Sequence, residues 1–379
     1  MKAMYAGSFD PFTLGHLSIV EKALEKYDKL IICISKNEAK TPFFSTEKRK
    51  KFIQLTITNL PRAQDISIIT SNDLTVNTAC LNDINTLVRG IRADSTDLHS
   101  EKQMAEANRL LAAARGFELN TDFIIQDDPF LQIVSSSLAR SLLQMKEYIA
   151  MTRCLPKCIS EEIIAQTLKP LFYTLFKECI VSNHYWELIK KTYTARSYHN
   201  LIHLAYMFNQ LHIYKQCNNR ENIPIDENLY LAIFLHDYIH NVQPEAHLQC
   251  NKQDSANTLH NWYKQQIFIP HINALTVYRL IMATTHNQGT LTNQQKLIAD
   301  LDLSILGTAD SATYKAYADG IRKEYAAYTD KEYKKGRLAF LFKLLKKKPL
   351  FHTHFFKERF EEQARKNITA EIRGLHDKS

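Results

Sequence analysis

The chain has 379 residues, 45% of them apolar, and a formal net charge of +8. At about 100–200 residues per domain, this length predicts two or three globular domains. No run approaches the ~20 uninterrupted apolar residues of a membrane span, no signal peptide is expected because the N-terminus goes straight into a strand pattern, and the seven cysteines form no C-x-x-C pair, which argues against a disulfide framework and predicts a cytoplasmic protein with reduced thiols.

Residues 1–130 alternate short β-rich runs with helical patterns. Strands are predicted at Lys2–Ala6, Lys29–Ser35, Ile66–Thr70, Thr86–Val88 and Asp122–Gln126, and helices near 16–26, 46–59, 74–82, 101–115 and 136–146. Such alternation predicts an α/β domain with a doubly wound, Rossmann-like parallel sheet. Ligands of such sheets bind beyond the carboxyl ends of the strands. Gly7, 36–40, Asp73, Arg89 and Gln126 fall just past predicted strand ends and are expected to line one crevice. The run Gly7-Ser8-Phe9-Asp10-Pro11-Phe12-Thr13-Leu14-Gly15-His16 joins the first strand to the first helix. A glycine-containing turn into a helix start points backbone N–H groups at one spot, and the helix dipole favours an anion there. Lys40, Arg89 and Arg92 supply charge for a polyphosphate. Ser135, Ser136 and Ser137 open a helix and offer a cap, hydroxyls and N–H groups.

After about residue 160 the strand signal fades. Helical patterns follow at 161–180, 184–193, 200–213, 227–240, 251–266, 272–286, 293–306, 311–327, 331–346 and 351–373, which predicts an all-α domain. Leu155-Pro156-Lys157 marks the expected boundary, dividing the chain into 1–160 and 161–379. The basic run Lys346-Lys347-Lys348 is followed by Glu358, Glu361 and Glu362 with no interleaved stacking pattern. It reads as a solvated helix face, so neither nucleic acid nor a membrane is expected as a partner.

Within the helical half, His and Asp recur in a suggestive order: His199 and His203, then His236-Asp237 after an apolar run, His286, and Asp300 and Asp302. Burying an adjacent His-Asp pair demands a partner or a metal. Mixed imidazole and carboxylate donors suit Mn²⁺, Fe²⁺, Co²⁺, Ni²⁺ or Zn²⁺. His240 and His247 read as bystanders.

The Thr13-Leu14-Gly15-His16 turn resembles the T-x-G-H signature of the nucleotidyltransferase superfamily. With Asp28, the Ser71–Leu74 turn, Val88–Ala93, Gln103-Met104-Ala105, Asn108-Arg109, Val134–Arg140 and Leu155-Pro156, the first 160 residues resemble bacterial phosphopantetheine adenylyltransferase. The resemblance implies adenylyl transfer from ATP, with Mg²⁺, to 4′-phosphopantetheine, giving dephospho-coenzyme A and pyrophosphate. It also implies a homo-oligomer built on this half. By the same resemblance His16, Lys40 and Arg89 are catalytic. ATP is held by Ser8, Phe9, His16, Gly90, Ile91, Arg92, Glu101, Leu131, Ser135, Ser136 and Ser137, and the pantetheine substrate by Ser8, Lys40, Thr75 and Arg89. The family's Asp-Phe-Glu-Tyr-Glu run is replaced by Thr96–Glu101, one residue longer, so this loop is expected to alter nucleotide affinity or the acceptor. The alternative is transfer of an adenylyl or cytidylyl group to a different phosphorylated acceptor.

Residues 184–372 resemble HD-superfamily metal-dependent phosphohydrolases. The likeness rests on the H…HD…D order, Tyr198–Leu201, Ile321–Tyr325, Tyr333, Gly336-Arg337 and Glu362–Asn367. It implies His203, His236, Asp237 and Asp302 as metal ligands, with Asp300 the alternative to Asp302, and a phosphoester substrate of unspecified identity. His286 would hold phosphate or donate a proton. Asn287 and Lys252 depart from the pattern, standing where a second His and a Glu are common. A helical half that senses a nucleotide without catalysis is the competing expectation.

Overall fold

The computed structural model describes residues 1–35, 41–91, 95–176, 182–217, 221–242, 248–264, 269, 271–286 and 289–377. Two compact units divide the chain, Met1–Glu162 and Ile163–Ser379.

The first unit runs β1 (Lys2–Gly7), α1 (Leu14–Lys26), β2 (Lys29–Ser35), α2 (Thr46–Ile57), β3 (Ile66–Ser71), α3 (Thr75–Leu81), β4 (Thr86–Ile91), α4 (Ser95–Ala113), β5 (Asn120–Ile125), α5 (Pro129–Ile133), α6 (Ser136–Gln144) and α7 (Tyr148–Thr152). The five strands form one parallel sheet in the order β3-β2-β1-β4-β5. This is a Rossmann-like, doubly wound parallel α/β arrangement. The run Ala3–Ala6 in β1 and Leu30–Ile34 in β2 is buried without alternation, because helices cover both faces of a parallel sheet. The edge strand β3 is less buried. Strand order reverses on either side of β1, so the loops after β1 and β4 part and leave a crevice at their carboxyl ends.

Several expected bounds shift. β4 runs on to Ile91, so Arg89, Gly90 and Ile91 are strand residues rather than a loop after the strand; β4 is paired on both sides, with Arg89 opposite Phe123 and Ile91 opposite Ile125. The segment expected to be an altered loop before Glu101 belongs to α4, which starts at Ser95. The short helices α5 and α7 are too brief to show a period in sequence.

α8 (Lys157–Phe176) follows Pro156 and carries the chain across the division between the units. The second unit is mostly helical: α9 (Ser182–Thr194), α10 (Leu201–Gln216), α11 (Glu227–Leu235), α12 (Leu248–Lys264), α13 (Ala274–Ala283), α14 (Asn293–Leu303), α15 (Ser311–Glu324), α16 (Asp330–Lys346) and α17 (His354–Asp377). The pattern expected to reach residue 240 stops at Leu235, where His236 takes the C-cap. No helix among the described residues is long and apolar enough to cross a membrane.

Candidate functional sites in the two units

In the first unit the loop after β1 folds tightly. Phe9 has φ 47°, a left-handed conformation unusual for a bulky residue. Its ring packs 5.1 Å from Tyr5, 5.6 Å from Phe12 and 5.1 Å from His16. Ser8 is exposed, and its carbonyl accepts a 2.6 Å bond from the buried Arg49.

Thr13 caps α1, and His16 completes the capping box. The Thr13 N–H donates to His16 Nδ1 at 3.0 Å, and the His16 N–H donates to Thr13 Oγ1 at 3.3 Å. A Glu or Gln usually fills this role. Because Nδ1 accepts, the neutral ring carries its proton on Nε2.

Arg89 donates from β4 to the Ala6 carbonyl at 3.2 Å, and its Nε lies 3.3 Å from Glu101 Oε2 on α4. His16 packs 6.3 Å from the Tyr5 ring. Both side chains therefore sit at the carboxyl end of β1, where the strand order reverses. Burial drives the Tyr5 hydroxyl pKa far up, and Arg89 partly offsets it.

The start of α6 joins the same corner. Ser135 Oγ accepts from the Leu138 N–H at 3.1 Å, and Ser136 Oγ donates to the Pro11 carbonyl at 2.8 Å. Arg140 bonds the Asp10 carbonyl and donates to Ser137 Oγ at 3.1 Å. Asp10 in turn accepts from the Phe43 and Phe44 N–H groups at 2.7 and 2.8 Å. Gly15 faces α5: a Cβ there would stand 3.4 Å from the Leu131 carbonyl. Gly90 is tighter still, since a Cβ would meet Ile19 Cγ1 at 2.7 Å. Ile91 is buried at the end of β4. Thr75 opens α3 beyond the edge strand β3, two strands from β1. Lys40 and Arg92 lie outside the described residues. Sequence reasoning missed the braces Asp10, Arg49 and Arg140, because the two arginines reach backbone carbonyls distant in the chain.

In the second unit, His203, His236, Asp237 and Asp302 converge. Asn200 caps α10 by accepting from the Ile202 and His203 N–H groups at 2.9 and 3.3 Å, which fixes His203 in the first turn. The His236 Nδ1–H donates to the Ile233 carbonyl at 2.8 Å, turning Nε2 inward. His203 Nε2 stands 3.2 Å from His236 Nε2 and 3.4 Å from Asp302 Oδ1. His236 Nε2 is 2.8 Å from Asp237 Oδ2 and 3.6 Å from Asp302 Oδ1. Donors at about 2.1 Å from one ion would be separated by roughly 3.0–3.4 Å, so these edges and this donor set fit a divalent ion.

Asp300 faces away, because two residues along a helix turn a side chain by about 200°. It accepts from the N–H groups of His352 and Thr353 and from Thr353 Oγ1 at 2.7–2.8 Å, and burial pushes its pKa up to about 7. His286 Nε2 lies 3.0 Å from Asp302 Oδ2, while its buried Nδ1 makes no hydrogen bond.

Charge in this cluster is balanced from within. Lys252 Nζ sits 2.7 Å from Asp237 Oδ1. Burial opposes charge on Asp237, yet His236 and Lys252 hold it well below the usual carboxylate range. Burial lowers His236, but Asp237 outweighs it and raises the pKa to about 9. Next to the cluster, burial and the imidazole of His240 hold His199 down at about 4. A cavity of about 890 Å³ opens here, lined by Asp237, Lys252, His286 and Asp302 and, beyond them, by Tyr325 and Tyr333.

Comparison with known proteins adds the following. The Cytidylyltransferase-like family profile matches residues 4–142. A phosphopantetheine adenylyltransferase of Thermotoga neapolitana is 40% identical over 142 residues, covering 38% of this chain and 83% of that protein. One from Bacteroides thetaiotaomicron is 38% identical over 149 residues, covering 39% of this chain and 92% of that protein. A solved Plasmodium falciparum nicotinic acid mononucleotide adenylyltransferase aligns with a TM-score of 0.33 and 15% identity, over 44% of this chain and 95% of its own.

Proposed function

Because the chain belongs, through its first unit, to the phosphopantetheine adenylyltransferase family, we propose that this unit transfers the adenylyl group of ATP to 4′-phosphopantetheine, releasing pyrophosphate and forming dephospho-coenzyme A. The observation that supports this reading is that His16 and Arg89 each pack against the carboxyl end of β1, with the start of α6 bonded to the same loop. No covalent intermediate is needed. The acceptor phosphate attacks the α-phosphorus in line, and pyrophosphate leaves. Catalysis is positioning and charge stabilisation. The Nε2–H of His16 donates to the α-phosphate as charge builds there. Arg89, with Lys40, holds the acceptor phosphate. Ser8, Phe9, Gly90, Ile91, Arg92, Glu101, Leu131 and Ser135–Ser137 surround ATP, which brings Mg²⁺ as part of the substrate, and Thr75 lies along the pantetheine arm. The test is pyrophosphate release by the full chain supplied with ATP and 4′-phosphopantetheine, against the His16→Gln variant. Equal release from both overturns the role of His16, and no release from the unaltered chain overturns the activity.

We propose further that 161–379 is an HD-type phosphohydrolase domain. His203, His236, Asp237 and Asp302 would hold a divalent ion, which supplies a polarised phosphoester and an activated water when bound. His286 then stands ready to bond the phosphate. A second reading, a sensor without catalysis, is favoured by one feature: the Lys252 ammonium against Asp237 does the work of a cation. Asp237→Asn separates them. Loss of phosphoester hydrolysis supports the enzyme, whereas unchanged absence of hydrolysis with altered adenylyl transfer supports the sensor.

A further inference from the structure

Beside the His203 set lies a second convergence that its motif does not include. His199, at the turn before α10, His240, after the His236-Asp237 turn, and Glu324, at the end of α15, bring one donor atom each into a common space. Glu324 is held by its backbone partners. Its Oε1 accepts from the Tyr198 and His199 N–H groups at 2.7 and 2.9 Å, which leaves Oε2 turned toward the two imidazoles. His199 Nδ1 is 2.6 Å from Oε2. His240 Nε2 lies 3.3 Å from the same oxygen but makes no hydrogen bond, although the side chain is only 10% exposed. The two rings stack with centroids 4.2 Å apart. A hydrogen-bonded pair accounts for His199 and Glu324. It does not account for a buried second imidazole that approaches the same oxygen without bonding to it.

We propose that His199, His240 and Glu324 form a second divalent-cation site, distinct from the His203–His236–Asp237–Asp302 set. Two imidazoles and one carboxylate suit a borderline ion such as Co²⁺, Zn²⁺ or Ni²⁺. Coordination requires that the 2.6 Å edge open toward the roughly 3 Å expected between donors about 2.1 Å from an ion. The far nitrogen of His199 lies 4.0 Å from Asp237 Oδ2, so one imidazole separates the two donor sets. His199 and His240 line the same cavity as Asp302 and His286, and an ion there would add positive charge beside a bound phosphoester.

The experiment is a Co²⁺ titration of the chelator-stripped full chain, without nucleotide, counting bound ions by equilibrium dialysis. The unaltered chain should bind about two ions, and His240→Gln, Glu324→Gln and Asp302→Asn about one each. Full binding by His240→Gln and Glu324→Gln overturns the proposal. So does a chain that binds no ion, or one whose single ion is lost in Asp302→Asn and kept in His240→Gln. A single ion lost in His240→Gln and kept in Asp302→Asn supports this site and removes the reading of the other set. Should Glu324→Gln fail to fold, His240→Gln, which leaves the Glu324 bonds to Tyr198 and His199 in place, decides.

Discussion

In the first unit His16 is held by the amide that starts a helix, and the ion pair beside it, Arg89 and Glu101, is partly exposed. In the second unit two carboxylates, two imidazoles and an ammonium are packed together, largely buried, and offset one another. The first arrangement leaves its charged groups at the rim of a crevice, where an anionic ligand meets them directly. In the second, an arriving cation must displace a proton from His236 and relieve Lys252 of its partner. On the proposed functions, similar residue types would thus give a pre-set site in one unit and an exchange site in the other.

The largest expected effect lies in the first unit. His16→Gln keeps the capping acceptor and removes the ring, so pyrophosphate release should fall by at least ~10²-fold while the urea midpoint stays put. A matching loss of stability would make the ring a structural part only. Backbone crowding is the next contrast. Gly90→Ala in β4 drives a methyl into Ile19 and should cost about 1–3 kcal/mol in urea unfolding. Gly336→Ala in α16 meets nothing within 4 Å and should stabilise by up to ~1 kcal/mol. If both behave alike, the tight packing of α1 on β4 is wrong.

Removing the internal cation probes the exchange site. Lys252→Gln should raise Co²⁺ affinity at least about tenfold, or 1.4 kcal/mol; unchanged affinity would mean that the ammonium does not compete. Acidity should act in the same place. His236 carries a proton below about pH 9 and must lose it to bind metal. Affinity therefore rises with pH up to about 9, by as much as ~10-fold per unit, and an affinity flat from pH 6 to 9 would break the contrast. The smallest effect is Thr13→Ala, about 1 kcal/mol of lost helix capping, read by thermal unfolding.

Much of this was legible in the chain because it is local. Hydrophobic runs located every strand, and Lys29–Ser35 matches β2 residue for residue. β4 reads short in sequence because Arg89 and Gly90 look like a turn, although pairing with β5 holds them in the ladder. His203, His236-Asp237 and Asp302 were legible as a set through the H…HD…D order of the resembled superfamily, and position in that pattern preferred Asp302 to Asp300. The grouping of His240 with His199 and Glu324 was not legible: it depends on how α15 meets the turn after α11, which no spacing encodes. The same holds for Arg49 and Arg140, each of which reaches a backbone carbonyl far away in the chain.

The bond between Thr13 and His16 has a practical consequence. The amide that orients the imidazole also begins α1, so the direction of the ring is tied to the start of that helix, and the rings of Tyr5 and Phe9 pack against it. Anyone wishing to re-aim that group for a different phosphate donor would have to redesign the opening turn of α1 itself.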